Sequence, residues 1–123
     1  MALGPPGAAA PGTALAAGTV TPQVADLLHC LGFVYLRHGQ ARRAAVLLMV
    51  AGRAVPDRPA ILRTLAAALV EAGLGERAAP VLDRLAALEP DEAAHPMVRL
   101  LRARALLQQG HVEQARQVFE GAA

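Results

Sequence analysis

The sequence predicts an all-α chain, a solenoid of about three helix–turn–helix units, and three observations carry that expectation. Alanine and leucine dominate the 123 residues, aromatic residues are only 2%, and β-branched runs are nearly absent. Ala and Leu lose little freedom on entering a helix. A short pattern then recurs: "HGQARRAAVLL" from His38, "AGLGERAAPVL" from Ala72 and "QGHVEQARQVF" from Gln109. Each copy has a glycine at its second position (Gly39, Gly73, Gly110), and those glycines lie 34 and then 37 residues apart. Recurrence at such a period is the mark of a repeat architecture. Finally, apolar residues fall at helical spacing, as in Leu27, Leu28, Leu31, Val34 and Tyr35 and again in Leu62, Leu65, Ala66 and Leu69. Spacing of this kind puts them on one broad helix face.

The elements follow in chain order. Residues 1–21 read as a flexible Ala/Gly/Pro tail, with the first charged side chain only at Asp26. The stretch lacks a basic start, and prolines and glycines interrupt its apolar run, so it does not read as a signal peptide. Helices are expected near 23–37, 41–54, 58–72, 76–88, 93–108 and 112–121, in a domain over 22–123 with units about 25–58, 59–92 and 96–123. Within each unit the glycine stops the first helix, because it accepts the left-handed conformation of a C-cap. Five residues later comes an alanine (Ala44, Ala78, Ala115), and four beyond that a large apolar residue (Leu48, Leu82, Phe119). The alanine lets the paired helices approach closely. Pro56 and Pro90 each stand twelve residues after their alanine and punctuate the units. The third unit departs: three extra residues fall around "DEAAH", 91–95, and Arg99 and Arg102 hold slots that are apolar before it. Arginine there fits a terminal unit, with its stem on apolar surface and its head in water.

Charge and composition exclude several functions. The net charge is only +2 and all twelve basic residues are arginine, without the concentrated basic face of a nucleic-acid binder. "RHGQARR", 37–43, is the densest basic stretch and reads as a solvated helix end. No run reaches the length of a membrane span. A single cysteine makes no internal disulfide and fits a reducing, cytoplasmic setting.

His29, Cys30 and His38 invite a chemical reading. A structural zinc site needs four ligands in paired spacings, which one cysteine and scattered histidines do not supply. Adjacent helical residues point about 100° apart, so His29 and Cys30 are not expected to face one target. Cys30 is expected to pack as a small buried hydrophobe. There is no serine or lysine, and no phosphate-cradling glycine loop, so the list of nucleophiles is nearly empty. The chain reads as a non-enzyme, with no cofactor and no metal.

The pattern resembles the tetratricopeptide repeat (TPR) family. Leu28, Leu31, Gly32, Tyr35, Ala44, Leu48, Ala51 and Pro56 match the family's slots in unit one, and Leu62, Leu65, Ala66, Leu69, Ala78, Leu82, Leu85 and Pro90 match them in unit two. Unit three keeps Ala103, Leu106, Ala115, Phe119 and Ala122. The resemblance implies a concave groove lined by the first helix of each unit. Carried onto this chain, the groove residues are Asp26, His29, Phe33, Leu36 and Arg37, then Ala60, Arg63, Ala67, Val70 and Glu71, then Met97, Leu100, Arg104, Leu107 and Gln108. Such a mostly apolar set with interspersed arginines suits an apolar or amphipathic peptide. Exposed groove residues such as Leu36 and Val70 would also let the free chain form a homodimer.

Within the family, "LGFVYLRHGQARRAAVLL" followed by "VPDRPAILRTLAAALVEAGLGERA" is similar to the small Y-type export chaperones of bacterial type III secretion (the YscY/SctY type). That likeness implies a cytoplasmic bacterial chaperone for a small secreted partner, the X-type subunit, delivered to the export gate of the inner membrane. The alternatives are a chaperone for needle or translocator subunits, or a generic TPR scaffold.

Overall fold

The computed structural model describes residues 20–121. Among them lie seven helices and no strand: α1 (Pro22–Arg37), α2 (Ala41–Ala54), α3 (Pro59–Glu71), α4 (Gly75–Leu88), α5 (Pro90–Ala93), α6 (Pro96–Gln108) and α7 (Val112–Glu120). Three antiparallel hairpins, α1/α2, α3/α4 and α6/α7, stack in chain order. The first hairpin touches the second, the second touches the third, and the first and third do not meet. That is the linear contact pattern of a solenoid, and the chain is an all-α helical-repeat protein. Most of the expected tail, residues 1–19, lies outside the described residues. Thr21, also assigned to that tail, caps α1: its Oγ1 accepts the Val24 N–H at 3.1 Å.

Each hairpin turns by the same device. Gly39, Gly73 and Gly110 have φ of 77°, 78° and 84°. The glycine N–H donates to the carbonyl three residues back, and the next residue's N–H reaches the carbonyl five back: Gln40 to Tyr35 (2.9 Å), Leu74 to Leu69 (2.8 Å) and His111 to Leu106 (2.8 Å). This is the Schellman cap, and the left-handed residue at its centre is why glycine recurs there. The repeated alanine, the fourth residue of the following helix, closes that helix's first turn: its N–H bonds the carbonyl of Gln40, Leu74 or His111. Ala44 and Ala78 are fully buried and Ala115 nearly so.

The inserted residues before unit three form the short turn α5, and helix α6 starts later than the sequence suggests. The expected helix over 93–108 is broken at His95 (φ −65°, ψ 132°), which is extended. A residue before proline is pushed out of the α region, and Pro96 follows. Pro96 then serves as the first residue of α6, where its missing N–H costs nothing, as do Pro22, Pro59 and Pro90 in their helices. The His95 ring accepts the Met97 N–H at 3.2 Å as a cap.

One core runs through all three hairpins, from Ala44, Ala45 and Leu48 through Leu65, Leu69, Val70, Leu82 and Leu85 to Val98, Leu101 and Ala105. A smaller cluster of Ala25, Ala51 and Ile61 closes the end of the first unit boundary. Two glycines set how near the helices come. A Cβ on Gly32 would stand 2.7 Å from Leu48 Cγ, and one on Gly75 would stand 2.6 Å from the Ala105 carbonyl oxygen. Unit three is thus held against unit two by backbone contact at Gly75.

Charged pairs tie neighbouring units together. Asp57, with a left-handed φ of 63°, takes Arg84 through two hydrogen bonds of 2.7 and 2.6 Å. Asp26 pairs with Arg58, Glu71 with Arg104 (2.9 Å) and Asp83 with Arg102 (2.9 Å). Arg102 therefore reaches a carboxylate of α4, and its head is not simply solvated as the sequence suggests. Exposed pairs add little stability each, but Glu71–Arg104 and Asp83–Arg102 join the second and third hairpins, and the other two tie the linker between the first and second hairpins to α1 and to α4.

Substitution separates close approach from helix propensity. Gly75→Ala should destabilise by about 1–3 kcal/mol through overpacking. Gly52→Ala, where the nearest atom to the added Cβ is 3.9 Å away, should stabilise by roughly 0.5–1 kcal/mol as a helix-interior glycine is removed. Urea unfolding of the two variants checks both signs. Ala44→Leu and Ala78→Leu should each lower the melting temperature, and unchanged melting would contradict the hairpin register.

Candidate functional site: the groove between α1 and α3

The first helices of units one and two leave an open groove of about 530 Å³ between them. His29, Cys30, Phe33 and Val34 of α1 form one wall, and Ala60, Arg63 and Thr64 of α3 form the other. Spacing explains the α1 wall: residues 29, 30, 33 and 34 follow the i, i+3/i+4 rule of one helix face. Phe33 and Val34 are half exposed, at 48% and 50%.

The polar groups at this groove are already engaged. His29 Nε2 lies 2.9 Å from Thr64 Oγ1, and the Thr64 hydroxyl donates to the Ala60 carbonyl at 3.0 Å. With its proton committed there, Thr64 receives the Nε2–H of His29. Burial pushes the His29 pKa below its ordinary 6.5; nearby Asp26 opposes this, and Arg58 and Arg63 add to it. The neutral imidazole is therefore favoured. Arg63 pairs with Glu92 of α5, so the segment inserted before unit three neutralises an arginine of the groove. Arg37 has no acidic partner among the described residues and stands over the Phe33 ring, 5.8 Å from its centroid.

The structure sorts the expected groove residues into four groups. His29, Phe33 and Arg63 line the α1/α3 groove together, with Ala60. Asp26 and Glu71 are exposed but bound to Arg58 and Arg104, and Arg37 packs on Phe33 at its edge. Leu100, Arg104 and Leu107 line a different groove, of about 340 Å³, between α6 and α7. Val70 is a correction: at 1% exposure it belongs to the core, because α6 covers that part of α3, and Gln108 Nε2 caps its carbonyl at 2.9 Å. Leu36 and Ala67 are partly buried and pack against the core, not into an open groove. Self-association through Leu36 and Val70 therefore lacks its surface.

Three further expectations are overturned. Cys30 is exposed, because it lines the open α1/α3 groove. His29 and Cys30 line the same groove despite being adjacent, since both flank the direction of α3. Leu27, Leu31 and Val34, expected on the buried face with Leu28 and Tyr35, are exposed as well. Among the described residues no three His, Cys, Asp or Glu side chains gather to hold a metal. No described helix is long and apolar enough to cross a membrane. No known family model matches the chain, and no curated protein matches it.

The groove gives two measurable consequences. Since folding lowers the His29 pKa, the unfolded chain takes up that proton first, and stability falls as pH drops from 7 through 6.5. His29→Gln should flatten that part of the stability–pH curve measured by urea unfolding. Cys30 should react with a maleimide in the native protein as fast as in denaturant, to within a few fold; strong protection would place it in the core.

Proposed function

We propose that the chain is a TPR-type chaperone of bacterial type III secretion that captures one small secreted protein, the X-type subunit, and assists its delivery to the export gate. Capture needs no chemistry: it works by burying apolar surface of the client in the cytoplasm. The observation that carries the reading is the α1/α3 groove, whose exposed Phe33 and Val34 stand beside Arg63, already paired with Glu92, while Arg37 stacks on Phe33 at the edge. Apolar surface of this kind takes the apolar face of a helix or the side chains of an extended segment. Its polar rim is a guide to register: His29, Thr64 and the Arg63–Glu92 pair offer fixed hydrogen-bonding positions. The motif likeness to Y-type export chaperones supplies the identity of the client.

Co-purification with the secretion substrates of the same genome tests this. One small secreted protein should be retained at a 1:1 ratio, and Phe33→Glu should abolish retention while the helical circular dichroism stays unchanged. Loss of helicity in Phe33→Glu would place Phe33 in the core. A chain that retains needle or translocator subunits instead belongs to another chaperone class, and one that retains only cytoplasmic proteins is a scaffold.

A further inference from the structure

The two ends of the solenoid carry apolar residues at the positions that join units inside it. Successive hairpins superimpose on the sequence with offsets of 34 and 37 residues, set by Gly39, Gly73 and Gly110. On the receiving side, Leu48 and Leu82 are wholly buried where another unit follows. Their counterpart Phe119 is 63% exposed. Leu107 matches Leu36 and Val70 and is also half exposed, at 52%. Together with Val112 these residues line the α6/α7 groove, whose arginines are held by carboxylates of the chain itself: Arg104 by Glu71, and Arg116 by Glu113 and Glu120.

On the inserting side, α3 presents Ile61, Leu65 and Ala68 to the unit before it, and all three are buried. The same slots on α1 hold Leu27, Leu31 and Val34, exposed by 58%, 40% and 50%. So among the described residues α1 has the face of an inserting first helix that no hairpin covers, and α6/α7 has the face of a receiving hairpin that no helix covers. We propose that α1 of a second copy of this chain seats in the α6/α7 groove of the first, continuing the α2/α3 and α4/α6 packing from one molecule to the next. Val112 replaces Gly75 in this register, so the seated helix stands further out than α6 stands on α4. Val34, the counterpart of Ala105, meets that larger side chain. Such a contact joins two different surfaces and does not close on itself, so the chain adds copies head to tail as concentration rises. Val34 belongs both to this stripe and to the wall of the α1/α3 groove, but Leu27, Leu31 and the α6/α7 face lie outside that groove, and the proposal stands whether or not the groove binds a client.

The test is the mass of the full chain by sedimentation equilibrium over a wide concentration range. The mass should climb past that of a dimer. Leu27→Glu and Phe119→Glu each block one end and should each be monomeric, with circular dichroism confirming the fold. Mixing the two variants should restore a species of twice the monomer mass and nothing larger, because each supplies the end that the other lacks. A wild-type chain that stays monomeric overturns the proposal, whether residues 1–19 or another protein covers the stripe. So does a Phe119→Glu chain that still dimerises, which would mean that α1 pairs with α1, and so does a mixture that remains monomeric.

Discussion

How near two helices of a hairpin can come governs the rest of this molecule. The turn is three residues long, so the helices it joins must pack against each other within the first turn after it. The Schellman cap at Gly39, Gly73 and Gly110 reverses the chain, and the alanine five residues later leaves room for the partner helix. Gly32 and Gly75 extend the same constraint, one within the first hairpin and one between the second and third, where a single methyl group would meet Leu48 or the Ala105 carbonyl. A protein with so few aromatic residues fills its interior by bringing backbones together, with Leu, Ile and Val between them. The groove between α1 and α3 exists because Gly32 and the Ala44 slot fix α1 on α2, and α3 then stacks beside it.

What was legible in the sequence was what each hairpin needs for itself. The glycine turns and the repeated alanines lie where the spacing puts them, and five of the six expected helices begin and end within a residue or so of their observed limits. The sixth failed at Pro96, because a local rule about the residue before proline outweighed the helical periodicity on both sides of His95. What was not legible was neighbourhood. Periodicity marks Leu27, Leu31 and Val34 as apolar, and in a middle unit they would be buried; among the described residues no hairpin stands on that side of α1. The same ignorance put Val70 in the groove, since only the packing of α6 shows that it is covered. Cys30 is exposed because the groove beside α3 stays open.

Ion pairs were the other hidden layer. The resemblance places Asp26, Arg63, Glu71 and Arg104 in the groove, yet each is paired within the chain. Their partners lie 29–33 residues away in sequence, close to one repeat length, so the pairing is itself a product of the stacking. The consequence for binding is a change of emphasis. A client would meet an apolar surface whose lining arginine, Arg63, is already paired, with Arg37 at the edge the exception, so its affinity should rest on buried area and shape more than on salt-sensitive attraction. His29 is the one groove side chain whose charge changes in the acidic-to-neutral range, and burial together with Arg58 and Arg63 favours its neutral form.

The central claim is that this apolar first-helix surface, and not the second helices, meets the client. Site-specific photocrosslinking in the native cell tests it most directly, with the photoreactive residue placed at Phe33 in one strain and at the exposed Val46 of α2 in another. The account predicts one small secreted protein crosslinked from position 33 and none from position 46. Equal labelling from both positions, or labelling from Val46 alone, would contradict it.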